Sequence, residues 1–289
     1  MKNFFKSIEI GQPVFLRNLL IHPISGPSGN GIEISSLEDI LSDSRGEFSE
    51  LEPPDINRIS FFNNADSAVL MLDGEEVIGS LQNRILAGST LVMPRARTEM
   101  PVICAEEGRW ESIGSFGTGY CSYPTIRAIL SRRGRGSNGL QKKIWHEIER
   151  KLTVTKTLST TSSMHDIYNN LDDEVTRYLE DFQGLGPDTI GFIGIAGKKI
   201  LGCDMFLSNA VYRRFENKLI RSYALDAIEY RRTSGDRIDA HAFLEGIISS
   251  VNKKRLPRDT HHFTMKDSRA TGQGSFADGR VVHLSVFPK

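Results

Sequence analysis

The chain has 289 residues, 39% of them hydrophobic and 25% charged, and its 36 Lys+Arg are balanced by 36 Asp+Glu. That length exceeds the ~100–200 residues of a typical domain, so one large domain and two closely packed lobes are both admissible, and the apolar content suffices for a true core. Zero formal net charge excludes a global field drawing the chain to phosphate polymers or anionic lipid, so nucleic-acid and membrane partners are not expected and any anion site must be local.

Cys104, Cys121 and Cys203 are odd in number, widely spaced and free of any C-x-x-C pair. Neither a disulfide framework nor a cysteine zinc site is indicated, and a reducing compartment fits best. Residues 1–7, MKNFFKS, lack an apolar h-region, and no later apolar run is long enough to span a bilayer, which reads as cytoplasmic.

The first ~110 residues read mainly as strands. An apolar run over 14–21 is broken by Arg17 and Asn18, and a shorter one covers 59–62. Residues 69–72 meet 75–78 across Asp73-Gly74, a dipeptide that supplies the positive φ angles of a two-residue hairpin. Runs at 85–93 and 102–105 continue the pattern, with Pro94 and Pro101 at boundaries where a missing N–H is tolerated. One short helix over 37–41, capped by Ser36, interrupts them.

Helical spacing then takes over. Ile144, Trp145, Ile148 and Leu152 mark a helix over 140–152, and Ile167, Leu171, Val175, Tyr178, Leu179 and Phe182 mark another over 164–182, stopped by Gly184-Leu185-Gly186-Pro187. A strand pair follows at 190–195 and 200–206, then a helix over 209–230 capped by Ser208, a helix over 239–251 and a final strand over 281–287. Strand-rich sequence followed by mixed sequence, without regular βαβ alternation, predicts an α+β fold. As two lobes it would divide into 1–113 and 140–289, with the Gly/Arg-rich stretch 114–139 as linker or mobile loop.

Three constellations could carry chemistry. In the first, Glu75 and Glu76 leave a tight turn and Gln82-Asn83-Arg84 follow, an assortment able to hold phosphate or ribose and equally compatible with a charged hairpin edge. In the second, Glu106 precedes Arg109 and Trp110, which could supply a base, an anion clamp and a stacking plane, or a core tryptophan with a surface arginine. Cys104 has no histidine near it in sequence and reads as an inert buried thiol. The third, Gly134-Arg135-Gly136-Ser137-Asn138-Gly139, has the G-x-G-x-x-G form but follows a short stretch ending in Arg132-Arg133 rather than a buried strand, so a flexible loop is the better reading.

The seven histidines include no H-E-x-x-H, and the adjacent His261 and His262 would point to opposite faces of a strand, so no metal or other cofactor is expected. There is no G-x-S-x-G elbow and no Walker A loop.

The stretch from Val69-Leu70-Met71-Leu72-Asp73-Gly74-Glu75 through Gly79, Gln82-Asn83-Arg84 and Val102-Ile103-Cys104 to Glu106 and Arg109-Trp110 resembles a prokaryotic family. That family is the ADP-ribosylglycohydrolase and rhodanese-phosphatase-superfamily associated protein domain. The resemblance continues through residues 141–145, Gly202-Cys203-Asp204-Met205-Phe206 and the Ser222-Tyr223-Ala224 helix. Asn63 stands where the family carries asparagine, whereas Ala68 replaces an expected proline and Ile103 an expected serine. The resemblance implies a place in an NAD and ADP-ribose processing network. As an enzyme, the chain would use Glu75 or Glu106 as acid/base, Arg84 and Arg109 on phosphate, Asn63, Gln82 and Asn83 as ligand-binding amides, and Trp110 on adenine. As a non-catalytic sensor or adaptor, it would bind the same nucleotide class.

Overall fold

A computed structural model describes residues 5–26, 33–109, 111–112, 114–132, 139–180, 182–231, 238–252 and 262–289. The first elements in chain order are β1 (Glu9–Ile10), β2 (Val14–Leu16), β3 (Leu19–Ser25), β4 (Ile34–Ser36), α1 (Leu37–Ser42), β5 (Gly46–Ser49) and β6 (Arg58–Asn63). Then come β7 (Ala68–Met71), β8 (Glu75–Ile78), β9 (Arg84–Leu86), β10 (Thr90–Val92), β11 (Arg97–Cys104), β12 (Gly117–Cys121), α2 (Pro124–Ser131), α3 (Leu140–Thr155), α4 (Met164–Asn170) and α5 (Asp172–Thr176). The last are β13 (Thr189–Ala196), β14 (Lys199–Phe206), α6 (Asn209–Ala227), α7 (Ala240–Asn252), β15 (His262–Lys266), β16 (Ala270–Ala277) and β17 (Arg280–Pro288). The fold is α+β.

Two compact units form, one from Ile32–Ser122 and Arg133–Asp173, the other from Met1–Gly31, Tyr123–Arg132 and Glu174–Lys289. They are not the two halves of the sequence. The opening strands group with the C-terminal stretch, α3 and α4 group with the strand-rich stretch, and the expected linker 114–139 contributes β12 to one unit and α2 to the other. The G-x-G-x-x-G stretch lies outside the described residues apart from Gly139.

The Ile32 unit contains a six-stranded sheet in the order β12-β8-β9-β11-β6-β5 and a three-stranded sheet, β10-β7-β4. Because side chains alternate across a strand, one face of each sheet can contribute to a shared core. Val69, Met71 and Val92 from the smaller sheet meet Ile59, Phe61, Val77, Leu86, Met100 and Val102 from the larger, with Leu37 and Ile40 of α1 completing the core. Ser36 caps α1 as expected, in a reciprocal box with Asp39.

Two sequence expectations need correction here. Asp73-Gly74 does turn, with Gly74 at φ 79° and Glu75 N–H bonded to Leu72 O at 3.1 Å, but β7 and β8 do not pair. β7 pairs with β10 and β4, and β8 with β9 and β12, so the turn carries the chain from one sheet to the other. Pro101 lies within β11 rather than at its edge. Residues Arg97 to Pro101 pair with β6, and Val102 to Cys104 pair with β9, so the residue without an N–H sits where the strand changes neighbours.

In the other unit an antiparallel sheet runs β1-β3-β13-β14-β17-β16-β15, with β2 paired to β3. Odd-numbered residues Ile193, Ile195, Cys203 and Met205 face a core that includes Ala240, Leu244, Ile247 and Val251 of α7. The opposite face receives α6. Gly194 and Gly202 are register partners there, and a Cβ on either would come within 2.8 Å of the Tyr223 side chain, so the two glycines open the seat for that ring. Ser208 caps α6 through Val211 N–H, as expected. The expected helix over 164–182 is instead broken after Asn170, although Ile167, Leu171, Val175 and Tyr178 are all buried.

Also on the α6 face, Asp204 accepts two bonds from Arg127 of α2 at 2.9 and 2.6 Å, one from Tyr223 Oη at 2.8 Å and one from His283 Nε2 at 3.0 Å. All four side chains are fully buried. Burial opposes ionisation of Asp204, but the Arg127 charge and the donated bonds outweigh it and hold the carboxyl far below the usual range. Removing one partner of such a pair strands the other charge, so Asp204→Ala should cost about 3–5 kcal/mol of stability. Chemical denaturation followed by circular dichroism checks this; a loss under about 1 kcal/mol would mean that Arg127 finds other acceptors.

Candidate functional site

The polar residues of the first two constellations all belong to the Ile32 unit, and the structure assigns them different local tasks. Glu75, wholly buried, accepts Leu72 N–H at 2.9 Å and braces the turn it follows. Asn63, also buried, donates to the carbonyls of Ser67, Val92 and Met93 and accepts Ala65 N–H at 3.0 Å. Its amide joins backbone to backbone and is engaged on both sides. Trp110 lies outside the described residues.

The second group is a clasp around Arg109. Gly79 (φ 94°) and Ser80 (φ 48°) turn the chain sharply after β8, and a Cβ at Gly79 would sit 2.2 Å from Ser115 O, so only glycine fits there. Asn83 Oδ1 accepts both Gly79 N–H and Arg109 Nη2 at 3.1 Å, and Asn83 N–H donates to Glu106 Oε2 at 3.0 Å. Arg109 Nε donates to the same Glu106 oxygen at 3.0 Å, and Nη1 donates to the carbonyls of Ser80 and Glu111 at 2.8 and 2.7 Å. Every nitrogen of Arg109 therefore has an acceptor. Burial pushes the Glu106 carboxyl up, but bonds from Arg109, Asn83 N–H and Thr161 outweigh it and hold it below the ordinary carboxylate range. At neutral pH it is an acceptor rather than a proton donor.

Arg84 differs. Register aligns Val77, Arg84 and Cys104 on one face of neighbouring strands, the face that buries Val77, so the guanidinium enters the interior and is only 1% exposed. Nη1 donates to Glu50 Oε2 at 2.9 Å, and Ser80 Oγ donates to the other Glu50 oxygen at 2.8 Å. Ser80 thus links the two arginines, its hydroxyl bonded to Glu50 and its carbonyl to Arg109. Arg84 Nε and Nη2 have no acceptor among the described residues, and the buried Gln82 Oε1 has no donor. Cys104 faces Arg84 across the pairing, and burial pushes its thiol up to about 11, which keeps it protonated and a poor nucleophile.

On the opposite face of β8, the carboxylate of buried Glu76 accepts Tyr120 N–H at 3.2 Å and His165 Nδ1 at 2.8 Å. Gly119 makes this possible, since a Cβ there would lie 2.2 Å from Glu76 Oε2. The sequence reading missed this pair. His165 is 89 residues from Glu76 in the chain, and no short motif spans such a distance.

Of the sequence-selected residues, then, Asn83, Arg84, Glu106 and Arg109 are joined through Ser80 and Glu50, while Glu75 and Asn63 serve the backbone elsewhere. A model of the ARG and Rhodanese-Phosphatase-superfamily-associated Protein domain matches residues 7–287. The chain belongs to this family. No curated protein and no solved structure matches it. The match runs through both units of the fold, so the family's domain includes the Arg109 clasp and the Asp204 network alike. No group of three or more His, Cys, Asp or Glu is placed to hold a metal ion among the described residues, and no helix there is long and apolar enough to cross a membrane.

The Glu76 hydrogen bond is the largest influence on His165 and raises its pKa above 6.5, against a smaller opposing effect of burial. The ion pair therefore stabilises the fold fully below pH ~6.5, and that contribution fades as pH rises through the raised folded value. In His165→Gln this part of the pH dependence should vanish, as read from melting temperatures between pH 5.5 and 8.5. An NMR titration placing His165 at or below 6.5 would contradict the pairing.

Proposed function

We propose that this family member recognises an ADP-ribose- or NAD-derived nucleotide in its strand-rich unit, with Arg84 as the group that meets the phosphate. The observation that carries this reading is the pair of buried Arg84 donors, Nε and Nη2, without acceptors among the described residues. A guanidinium removed from water normally has its donors satisfied, because each unmade bond to a charged group forfeits about 1.5–3 kcal/mol. A phosphate or pyrophosphate oxygen supplies the missing acceptors in the planar, two-pronged geometry that guanidinium prefers. Gln82 Oε1, likewise unpartnered, would accept from a ribose hydroxyl or the adenine amine. Reading ARG in the family's name as ADP-ribosylglycohydrolase supports the ligand class, by association.

Recognition is favoured over turnover at this cluster. The two carboxylates that the sequence offers as acid/base are committed, Glu75 to a backbone amide and Glu106 to donors that lower its proton affinity. On this reading the protein is a sensor or adaptor of the nucleotide, and processing would require a group outside the cluster.

Calorimetric titration with ADP-ribose tests the proposal. Arg84→Ala should weaken binding by about 1.5–3 kcal/mol, and Arg84→Lys should recover only part, because lysine keeps the charge and loses the fork. Arg109→Ala, whose donors already hold the clasp, should lower the melting temperature. Unchanged affinity in Arg84→Ala, or no wild-type binding, would end the reading. Mass spectrometry of the incubated nucleotide separates binding from processing, since an enzyme consumes excess ligand.

A further inference from the structure

Within the Met1–Gly31, Tyr123–Arg132 and Glu174–Lys289 unit lies a cavity of about 510 Å³, within the range of small-molecule pockets. Its lining sorts into two kinds of surface. Ala128 and Ile129 of α2, Leu201 of β14 and Phe287 of β17 supply an apolar floor. Arg132, Lys198, Lys199 and Lys289 supply a cationic rim. Lys289 is already engaged, its Nζ donating to the Asp267 carbonyl and its charge helping to lower the pKa of the Asp267 carboxyl.

Among the described residues the one acidic side chain in the lining, Asp226, is 2% exposed and has its Oδ2 occupied by Thr125 N–H and Thr125 Oγ1, both at 2.9 Å. It caps the first turn of α2, so neither that carboxylate nor that helix end faces a ligand unsatisfied. Two further rim cations are held in place. Lys199 Nζ donates to Tyr230 Oη at 3.2 Å and lies 4.9 Å from the ring centroid, and Arg132 Nη2 donates to Pro288 O at 3.1 Å. Positive charge is thus fixed at the mouth of an apolar hollow whose one described acidic side chain is buried and already hydrogen-bonded to Thr125.

We infer that this cavity is a binding site for a small amphipathic anion, a compound with a flat aromatic or short acyl body and one carboxylate, sulfonate or phosphate group. The body covers Ile129, Leu201 and Phe287, and the anionic group meets Lys198, Lys199 and Arg132. The inference is independent of the Arg84 reading, since it uses no residue of that cluster.

The test uses 8-anilinonaphthalene-1-sulfonate as the anionic probe and uncharged N-phenyl-1-naphthylamine as its neutral counterpart, with fluorescence titration of the full chain. Wild type should bind the sulfonate saturably at about one site, more weakly as salt rises. The double variant Lys198→Glu/Lys199→Glu, at two exposed positions, should weaken the sulfonate about tenfold while changing the neutral probe by less than about twofold. Ala128→Trp, which fills the floor, should abolish both. Circular dichroism and melting temperature of each variant establish that it is folded; if Ala128→Trp does not fold, the charge-reversal comparison decides alone. No saturable sulfonate binding to wild type, or equal sulfonate affinity in the charge-reversed variant, overturns the proposal.

Discussion

A charge taken out of water must find its partners inside the protein, and in this chain that constraint organises both units. In one, Asp204 can be buried only because Arg127, Tyr223 and His283 converge on it from α2, α6 and β17, so the residues that satisfy one carboxylate also fix where two helices sit on the sheet. Gly194 and Gly202 follow from the same requirement, since a side chain at either would push Tyr223 off its seat. In the other unit, Arg109 has the equivalent role. It joins the turn at Gly79 and Ser80, the segment carrying Asn83 and the stretch after β11 through acceptors that account for every nitrogen it has.

Local signals in the sequence translated well where the chemistry itself is local. Ser36 and Ser208 cap helices because a side-chain oxygen reaches an amide two or three residues on, and nothing distant can change that. The long stripe of α6 is legible for the same reason, and so is the α+β class. Asp73-Gly74 marks the boundary of this legibility. The dipeptide reports the backbone angles of a turn, and the turn is there, but which strands pair depends on which faces are apolar throughout the unit, and those send β7 and β8 to different sheets. β16 was invisible for a related reason. Its sequence, ATGQGSFA, lacks apolar alternation, and its Gly272 and Gly274 are required by the close approach of Ser285 O and His283 O, which only the paired strand reveals.

The candidate site was legible as composition and not as assignment. Gln82-Asn83-Arg84 and Glu106 with Arg109 stand out as polar groups bordering apolar strands, and four of these five residues do join one hydrogen-bonded network. Their roles were unreadable because chemically identical groups diverge according to what surrounds them. Arg84 and Arg109 carry the same guanidinium, yet one meets a single carboxylate in the interior and the other meets five acceptor contacts on four groups. Glu75 and Glu76, adjacent in sequence, leave opposite faces of the strand and serve a turn and a histidine respectively.

That divergence bears on recognition against catalysis. A group already satisfied can take part in chemistry only by breaking bonds that hold the fold, so the cost of using Arg109 or Glu106 on a ligand includes opening the clasp they close. A group with unsatisfied donors gains a bond without breaking one, and that asymmetry makes Arg84 the member of the network best suited to receive an anion. Its burial sets the form of what it can receive. On the proposed reading, a guanidinium 1% exposed would leave no room for a bulky body alongside it, so a ligand would present a narrow acceptor such as a phosphate oxygen while its larger part stayed outside the interior. Specificity for that larger part would then come from groups nearer the surface of the same unit rather than from the arginine itself.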